Sequence, residues 1–566
     1  MRFRNRRRAA CGRSEEVYGR GAVLNARIQL NTSDLVIFAA YILLSVIIGF
    51  LAGRNSRRDA KDYFLGSKGL PWYVVGTSMV ATVISSEHFI AQVGAGYSQG
   101  IVIAAFGWNA WIVYTLLIWI FLPYYMRTGL YTMPEFLERR YNSSCRYIFA
   151  GFLAVGYIAS IIAGSLFAGG IALENMFGLN IYWGIVVLGV LTGAYTIYGG
   201  LSSAAWTDFM QMGVLLGGGV LVPVLGLMKV GGLIHLAQEL PEKFQVFHGP
   251  RHELFPFTGV FTSFLSVGIW YNCTSQHLVQ RCLAAKDEWH ARVGVVSAGF
   301  LHIITPIMFV VPGIIAFAMF PKLERPDSAY LMLVKALIPS GLRGLILAAM
   351  AAALMSTISS MINSTSTILT IDLYKKLWNK EAGEHELVRF GQWSGLFILI
   401  GGIAIALYYS TLKASFLFVL IQNVFAYIAP PFAVIFTLGI LWRRATAAAA
   451  LATICLGFSF TLFLQYVLFE RLPWLHPYGN YLHRALISWV FCMIVMVTAS
   501  LLTAAPLREK TDGIIWTPQY ALMPKKLQAI YGGWKDFRIW WLAFITVVLS
   551  IYGFFLWFRF QHPESP

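Results

Sequence analysis

Apolar runs alternate with short basic stretches from Leu35 to Phe558. Each run is about 20 residues long, enough for one helix to cross about 30 Å of hydrocarbon. Spans are read near 35–51, 71–97, 101–126, 147–170, 181–199, 204–229, 255–276, 293–319, 331–371, 389–409, 414–441, 446–469, 485–504 and 538–559. The pattern predicts an all-α polytopic membrane protein of about 14 transmembrane helices. Segments of alternating hydrophobicity, the mark of a transmembrane barrel, do not appear.

Two spans break the apolar pattern. In Ala348–Tyr374, the residues Ser356, Ser359, Ser360, Asn363 and Thr367 fall at i, i+3, i+4, i+7 and i+11, on one helix face. Polar groups in hydrocarbon are costly, so this face must meet helices, a cavity or an ion. Two readings stand side by side. Ser and Thr often bond their own i−4 carbonyl or pack at small-residue contacts. The same hydroxyls also suit a hard monovalent cation, which wants neutral oxygens. The second unusual span, Pro71–Tyr97, holds Ser85, Ser86, Glu87 and His88 at mid-membrane, where an acid and a histidine mark a functional site. Glu87 and His88 are neighbours, so in a regular helix they point about 100° apart. Glu87 is therefore expected to brace a helix break and His88 to face a cavity.

Composition agrees with the pattern: 58% of the 566 residues are hydrophobic and 12% charged, against roughly 25% charged in soluble proteins. The net charge of +17 points to basic cytoplasmic loops rather than to nucleic acid. Alternate loops are basic, at 52–70, 127–146, 281–292, 375–389, 442–444 and 507–538. Placing these in the cytoplasm puts both termini outside an integral plasma membrane protein, or inner membrane protein in a Gram-negative source. The Arg-rich residues 1–30 run against this orientation and lack a signal-peptide core, so they read as a disordered tail or an upstream start. The loops at 321–329 and 471–484 also carry some Lys or Arg. The six cysteines are scattered without a CxxC, which suggests neither a metal site nor a disulfide framework. No Walker loop is present, which argues against ATP-driven transport.

Four collinear stretches carry a family resemblance: DYFLGSKGLPWYVVGTSMVATVISSEHFIAQVGAGYSQG (62–100), YGGLSSAAWTDFMQMGVLLGGG (198–219), VQRCLAAKDEWHARVG (279–294) and AAALMSTISSMINSTSTILTIDLYKK (351–376). Together they resemble the sodium:solute symporter family, and within it the sodium–glucose cotransporter branch, over about residues 35–560. The resemblance implies a core of two inverted five-helix repeats, 61–232 and 233–444, each opening with a helix broken at the midplane. Residues 31–60 then supply an extra N-terminal helix and loop, and 445–566 additional C-terminal helices. The local sequence suits breaks around Ala81–Glu87 and around Gly268, in SVGIWYNCTS.

By the same resemblance, Na⁺, the coupling ion, sits on the carbonyls of Ala81, Ile84 and Ala353 and the hydroxyls of Ser356 and Thr357. Asp208, Ser359 and Ser360 match a second sodium site; Asp208 also reads as a helix brace. No organic cofactor is implied, and the chain reads as a transporter, not an enzyme. At the family's sugar-binding positions stand His88, Gly107, Gly268, His302 and Gln422. His88 and Gln422 keep the polar character, whereas the family's Glu, Asn and Lys are replaced by Gly107, Gly268 and His302. His302 loses the fixed charge of a Lys but is expected to keep a donor. Tyr271 fits an inner gate, and Phe106 and Phe418 fit outer gates. The expected activity is Na⁺-coupled symport of a small polyhydroxylated solute, a sugar or polyol. A monocarboxylate or amino acid is the alternative, disfavoured by the lack of Lys or Arg at the pocket positions. A non-transporting sensor is a further alternative; it would need an output domain, and none is read here.

Overall fold

The computed structural model describes residues 28–562, apart from Asn55, Arg57, Ser86, Arg251, 412–416 and 473–478; of 175–177, 417–424, Glu470 and Lys510 it describes the backbone alone. The expected tail at 1–30 falls outside these residues up to position 27. Among the described residues the fold is all-helical; its one β pairing is an isolated bridge between Leu70 and Ala285.

Among the described residues, ten helices are long and apolar enough to cross a membrane. The outer ones show large apolar side chains to their surroundings: Trp540, Leu542, Phe554 and Trp557 are exposed on Phe537–Gln561. A soluble surface would not carry such a face, and a lipid-facing one does. At the centre runs Arg343–Thr367, in which every residue from 346 to 367 is buried. Its entry is fixed by a capping box at the far end of the chain. Asn31 and Asp34 cap Thr32–Gly53, and the buried Asp34 also accepts from Gly341 N–H (3.1 Å) and Gly344 N–H (2.7 Å).

Both first helices of the expected repeats are broken. Trp72–Val83 stops at Ile84, which is extended (φ −73°, ψ 116°), and a π-helical turn, His88–Gln92, leads into Val93–Gln99. This is where the β-branched, Ser-rich run predicted it. The second break falls at Ser275, the last residue of the expected run SVGIWYNCTS, rather than at Gly268 itself. Gly268 precedes a π turn, Ile269–Thr274, and the chain opens at Ser275 (φ −75°, ψ 132°) before Gln276–Leu283. Gly268 serves close packing instead: a Cβ there would come within 2.8 Å of Val113. The shift has a consequence for Arg281. Sequence placed it in a cytoplasmic loop; the break at Ser275 holds it on a fully buried helix.

Two other boundaries differ from expectation. The single span at 331–371 divides into Ala329–Leu337 and Arg343–Thr367, separated by Pro339, Ser340 and Gly341. Conversely, Ile181–Lys229 is continuous in hydrogen bonding, yet Gly200 (φ 57°, ψ −142°) breaks it between the two predicted spans. That conformation is open only to glycine. The site is also tight, since a Cβ on Gly200 would stand 2.2 Å from Tyr63 O.

Gly200→Ala should therefore cost at least about 1–3 kcal/mol and lower the thermal midpoint in detergent. Gly213→Ala, on the same helix with nothing within 4 Å of a new Cβ, should leave the midpoint unchanged or raise it. Equal midpoints for the two variants would contradict the assigned break.

Candidate functional site

The break at Ile84 leaves the last turn of Trp72–Val83 with free carbonyls, and Thr357 on the central helix meets them. Its Oγ1 lies 3.2 Å from Thr82 O, 3.2 Å from Ile84 O and 3.0 Å from Ala353 O. One hydroxyl has one proton and satisfies one of these acceptors at a time. The surplus of oxygen lone pairs in a buried setting is what a small cation coordinates. Of the five positions expected to hold Na⁺, the structure gathers Ile84, Ala353 and Thr357. The carbonyl on Thr357 from the first helix's last turn is that of Thr82, one residue beyond Ala81. Ser356 turns elsewhere: its hydroxyl donates to Asp208 Oδ1 at 2.6 Å.

Asp208 is fully buried and anchors the second cluster. Its Oδ2 accepts from Ser78 Oγ (2.6 Å) and pairs with Arg281 Nη2 (3.2 Å). Arg281, itself fully buried, donates from Nε to Ser78 Oγ (2.6 Å), and its two terminal nitrogens bond Ser360 Oγ and His277 O. Ser360 Oγ also shares a hydrogen bond with Thr82 Oγ1 (2.8 Å). Ser359 turns back on its own helix, to Ser356 O. A guanidinium thus stands among Asp208 and Ser360, where a second sodium was expected. Sequence reading missed Arg281 because an arginine near a span end looks like a loop residue; its position in VQRCLAAK was the available signal.

The hydroxyl stripe divides between the two readings offered for it. Ser359, Ser366 and Thr367 bond carbonyls of their own helix. Ser356, Thr357 and Ser360 reach across to other helices.

A cavity opens beside the first cluster. Thr82, Ile84 and Thr357 form part of its wall, together with His88, His302, Tyr271, Phe106, Gly107 and Gly268. Gly107 brings its helix close to the next: a Cβ there would be 3.2 Å from Thr305 Oγ1 and 3.3 Å from His302 O. Tyr271 leans on Phe425 and His277 (centroids 5.6 and 5.1 Å), and Phe106 meets Phe255 edge-on at 5.9 Å. The side chains of Phe418 and Gln422 lie outside the described residues. Tyr481, Leu482 and Ala485 also line the cavity. They belong to the C-terminal helices, which the repeat scheme set apart from the core.

The two histidines present opposite faces. Ser85 N–H donates to His88 Nδ1 at 3.3 Å, so the neutral ring carries its proton on Nε2. His302 Nδ1 is 3.1 Å from Ala298 O, which can only accept, and 3.3 Å from the Tyr114 hydroxyl, which can do either; a proton on Nδ1 serves both contacts and leaves Nε2 as an acceptor. The donor expected of His302 is spent on its own helix. Glu87 also differs from expectation, since it lines the same cavity as His88. The 100° rule holds for a regular helix, and here a break precedes Glu87 and a π turn follows it.

Residues 63–457 match the family model of the sodium:solute symporter family. A sodium/glucose cotransporter of Vibrio parahaemolyticus is 32% identical over 506 residues, covering 84% of this chain and 91% of that protein. A sodium/myo-inositol cotransporter of Bos taurus is 31% identical over 556 residues, covering 88% and 77%. Among solved structures, the substrate-bound outward-open state of a Na⁺-coupled sialic acid symporter superposes with a TM-score of 0.76 at 22% identity, over 84% of this chain and 99% of that one. A nucleobase-cation-symport-1 family transporter in a closed conformation superposes with a TM-score of 0.56 at 15% identity. These two share the fold.

Asp208→Asn strands the Arg281 charge, and breaking a buried pair costs about 3–5 kcal/mol. The thermal midpoint of this variant should fall well below that of wild type. Asp208→Asn combined with Arg281→Gln should lose less than the sum of the single changes. Additive losses would show that the pair does not act as a unit.

Proposed function

This chain belongs to the sodium:solute symporter family, and from that premise we propose that it carries a small polyhydroxylated solute, a sugar or polyol, inward with Na⁺ by alternating access. It is a multi-pass membrane transporter, not an enzyme. The observation that carries the reading is Thr357 Oγ1 among three carbonyl oxygens, on the wall of the solute cavity. Na⁺ reaches the site through the cavity and takes the oxygens of Thr82, Ile84, Ala353 and Thr357. Ser356 joins them only by releasing Asp208, and Ala81 only by a shift of the first helix's last turn. A second Na⁺ at Asp208, Ser359 and Ser360 requires the Arg281 guanidinium to withdraw.

The ion draws Trp72–Val83 against the central helix. That holds the Ile84–His88 segment in place and with it the Nε2–H of His88. Solute and ion thus raise each other's affinity, as linkage demands. Phe106 and Phe418 close the cavity from outside, and Tyr271, with Phe425, closes it from inside. Gln422 adds a polar contact on the helix Leu417–Leu441. Glucose and myo-inositol, named for the relatives, are the first solutes to try. Among the described residues no Lys or Arg lines the cavity, which disfavours a carboxylate. Arg343 holds Gln29 O (2.9 Å) and Gln245 holds His562 O (2.8 Å). Both described ends thus join segments opposite the basic loops, which supports an outside position for each.

One inward charge gains about 2.3 kcal/mol per 100 mV, and a tenfold Na⁺ gradient about 1.4 kcal/mol. One Na⁺ therefore supports roughly 500-fold accumulation. Proteoliposomes with Na⁺ outside and a negative interior should accumulate labelled glucose or myo-inositol, and those with K⁺ outside should not. Thr357→Val should raise the Na⁺ concentration for half-maximal uptake at least about tenfold, the loss of one strong ligand. Ser356→Ala should raise it less. Unchanged Na⁺ dependence in Thr357→Val would remove the site from the mechanism.

A further inference from the structure

Glu87 and Gln92 stand at the two ends of the π turn, and both side chains enter the solute cavity. Neither the Glu87 carboxylate nor Gln92 Oε1 has a hydrogen-bond partner among the described residues, and Gln92 is 8% exposed. An intramembrane acid without a counter-charge is expensive, and it persists where it faces water or a ligand. Two histidines share the cavity with it. His88 offers one donor, Nε2–H, and His302 Nε2 is an acceptor. Asn272 also lines the cavity. Its amide nitrogen gives one of its two hydrogens to Gly268 O at 3.1 Å, which leaves one N–H and the oxygen for a solute.

The Glu87 carboxylate and Gln92 Oε1 thus stand as unpartnered acceptors in the cavity, beside the donors of His88, Tyr271 and Tyr481, and they call for a solute that can donate as well as accept. A carboxylate solute would add acceptors and a like charge beside Glu87. An ammonium would satisfy Glu87 but has no lone pair for the His88 donor. A hydroxyl does both, because it donates and accepts. A carboxylate has two oxygens side by side and acts only as an acceptor. Two hydroxyls on neighbouring carbons can each donate to one of its oxygens.

We propose that Glu87 is the specificity-determining residue of this transporter, taking the two hydroxyls of a vicinal diol on its carboxylate, with Gln92 Oε1 accepting a third hydroxyl further out. This rests on the solute reading above and narrows it from polyhydroxylated solutes to those with a free vicinal diol.

The test uses the full chain in proteoliposomes, with labelled glucose, myo-inositol and their monodeoxy analogues as probes. Glu87→Gln should raise the KM of the transported parent about tenfold to a hundredfold, the range for losing a charged hydrogen bond. Na⁺ activation at saturating solute should stay within about twofold, since Glu87 is not among the oxygens around Thr357. For the analogue lacking either hydroxyl of the pair, wild type and Glu87→Gln should have nearly the same KM. Gln92→Leu should raise KM with a different deoxy position silenced. If Glu87→Gln fails to fold, Glu87→Asp keeps the charge but withdraws it by one methylene, and the same position-selective rise is expected. The proposal is overturned if KM for the parent is unchanged, or if every deoxy analogue loses the same factor. It is equally overturned if an amine solute is preferred over its hydroxyl counterpart. Wild type that accumulates no polyhydroxylated solute with Na⁺ sinks both this proposal and the solute reading. Wild type that accumulates one, with deoxy selectivity indifferent to position 87, sinks this proposal alone.

Discussion

Backbone polar groups inside a bilayer must find partners within the protein, and this chain leaves two helices open at mid-membrane. The interior is arranged around those openings. At Ile84 the loosened carbonyls gather on Thr357. At Ser275 a side chain from another helix takes up the backbone, as Tyr125 OH donates to Cys273 O, and Gln280, just past the break, donates in turn to Phe64 O on another helix. Asp208, Arg281 and the hydroxyls bonded to them stand beside these breaks, while other buried pairs, such as Arg146 with Asp372, lie elsewhere. Helices also pack through small residues, as where Gly76 and Gly294 bring Trp72–Val83 against Glu288–Phe309.

The two polar clusters are mechanically joined. Ser356 and Thr357 are consecutive, yet one belongs to the Asp208 cluster and the other to the carbonyl cluster. Arg281 ties both broken helices to the frame through Ser78, His277, Ser360 and Asp208. Thr82 spans the same gap, with its carbonyl on Thr357 and its hydroxyl on Ser360. A shift of Trp72–Val83 relative to the central helix cannot alter one cluster and spare the other. Ion and solute also share a wall, since Thr357 and Ile84 line the cavity that holds His88 and His302. That geometry gives coupling a short path, without a relay through the fold.

Much of this was written in the chain as pattern. Span lengths, the all-helical class and the hydroxyl stripe follow from composition and period, because a bilayer allows few solutions. The break near Ile84 was legible in its β-branched, Ser-rich run. Family motifs carried the assignment of Na⁺ and of the pocket positions. Less legible were features that depend on exactly where a helix stops. The second break falls inside the small and polar run around Gly268, but at its last residue, Ser275, while Gly268 itself gives Val113 its space. Glu87 was directed away from the pocket by a rule for regular helices, and a π turn suspends that rule.

The sequence alone determined that the protein lives in a membrane, crosses it with helices and keeps a stripe of neutral oxygens inside. Those follow from the cost of polar groups in hydrocarbon, which acts on every residue in order. Tertiary structure decided which oxygen faces which partner. It sent Ser356 to Asp208, Thr357 to the opened carbonyls and Arg281 into the interior, and it turned His302 from a donor into an acceptor. Such choices depend on contacts between residues far apart in the chain, 148 positions for Ser356 and Asp208 and 273 for Thr357 and Ile84. A period read along one helix carries no information about what stands across from it.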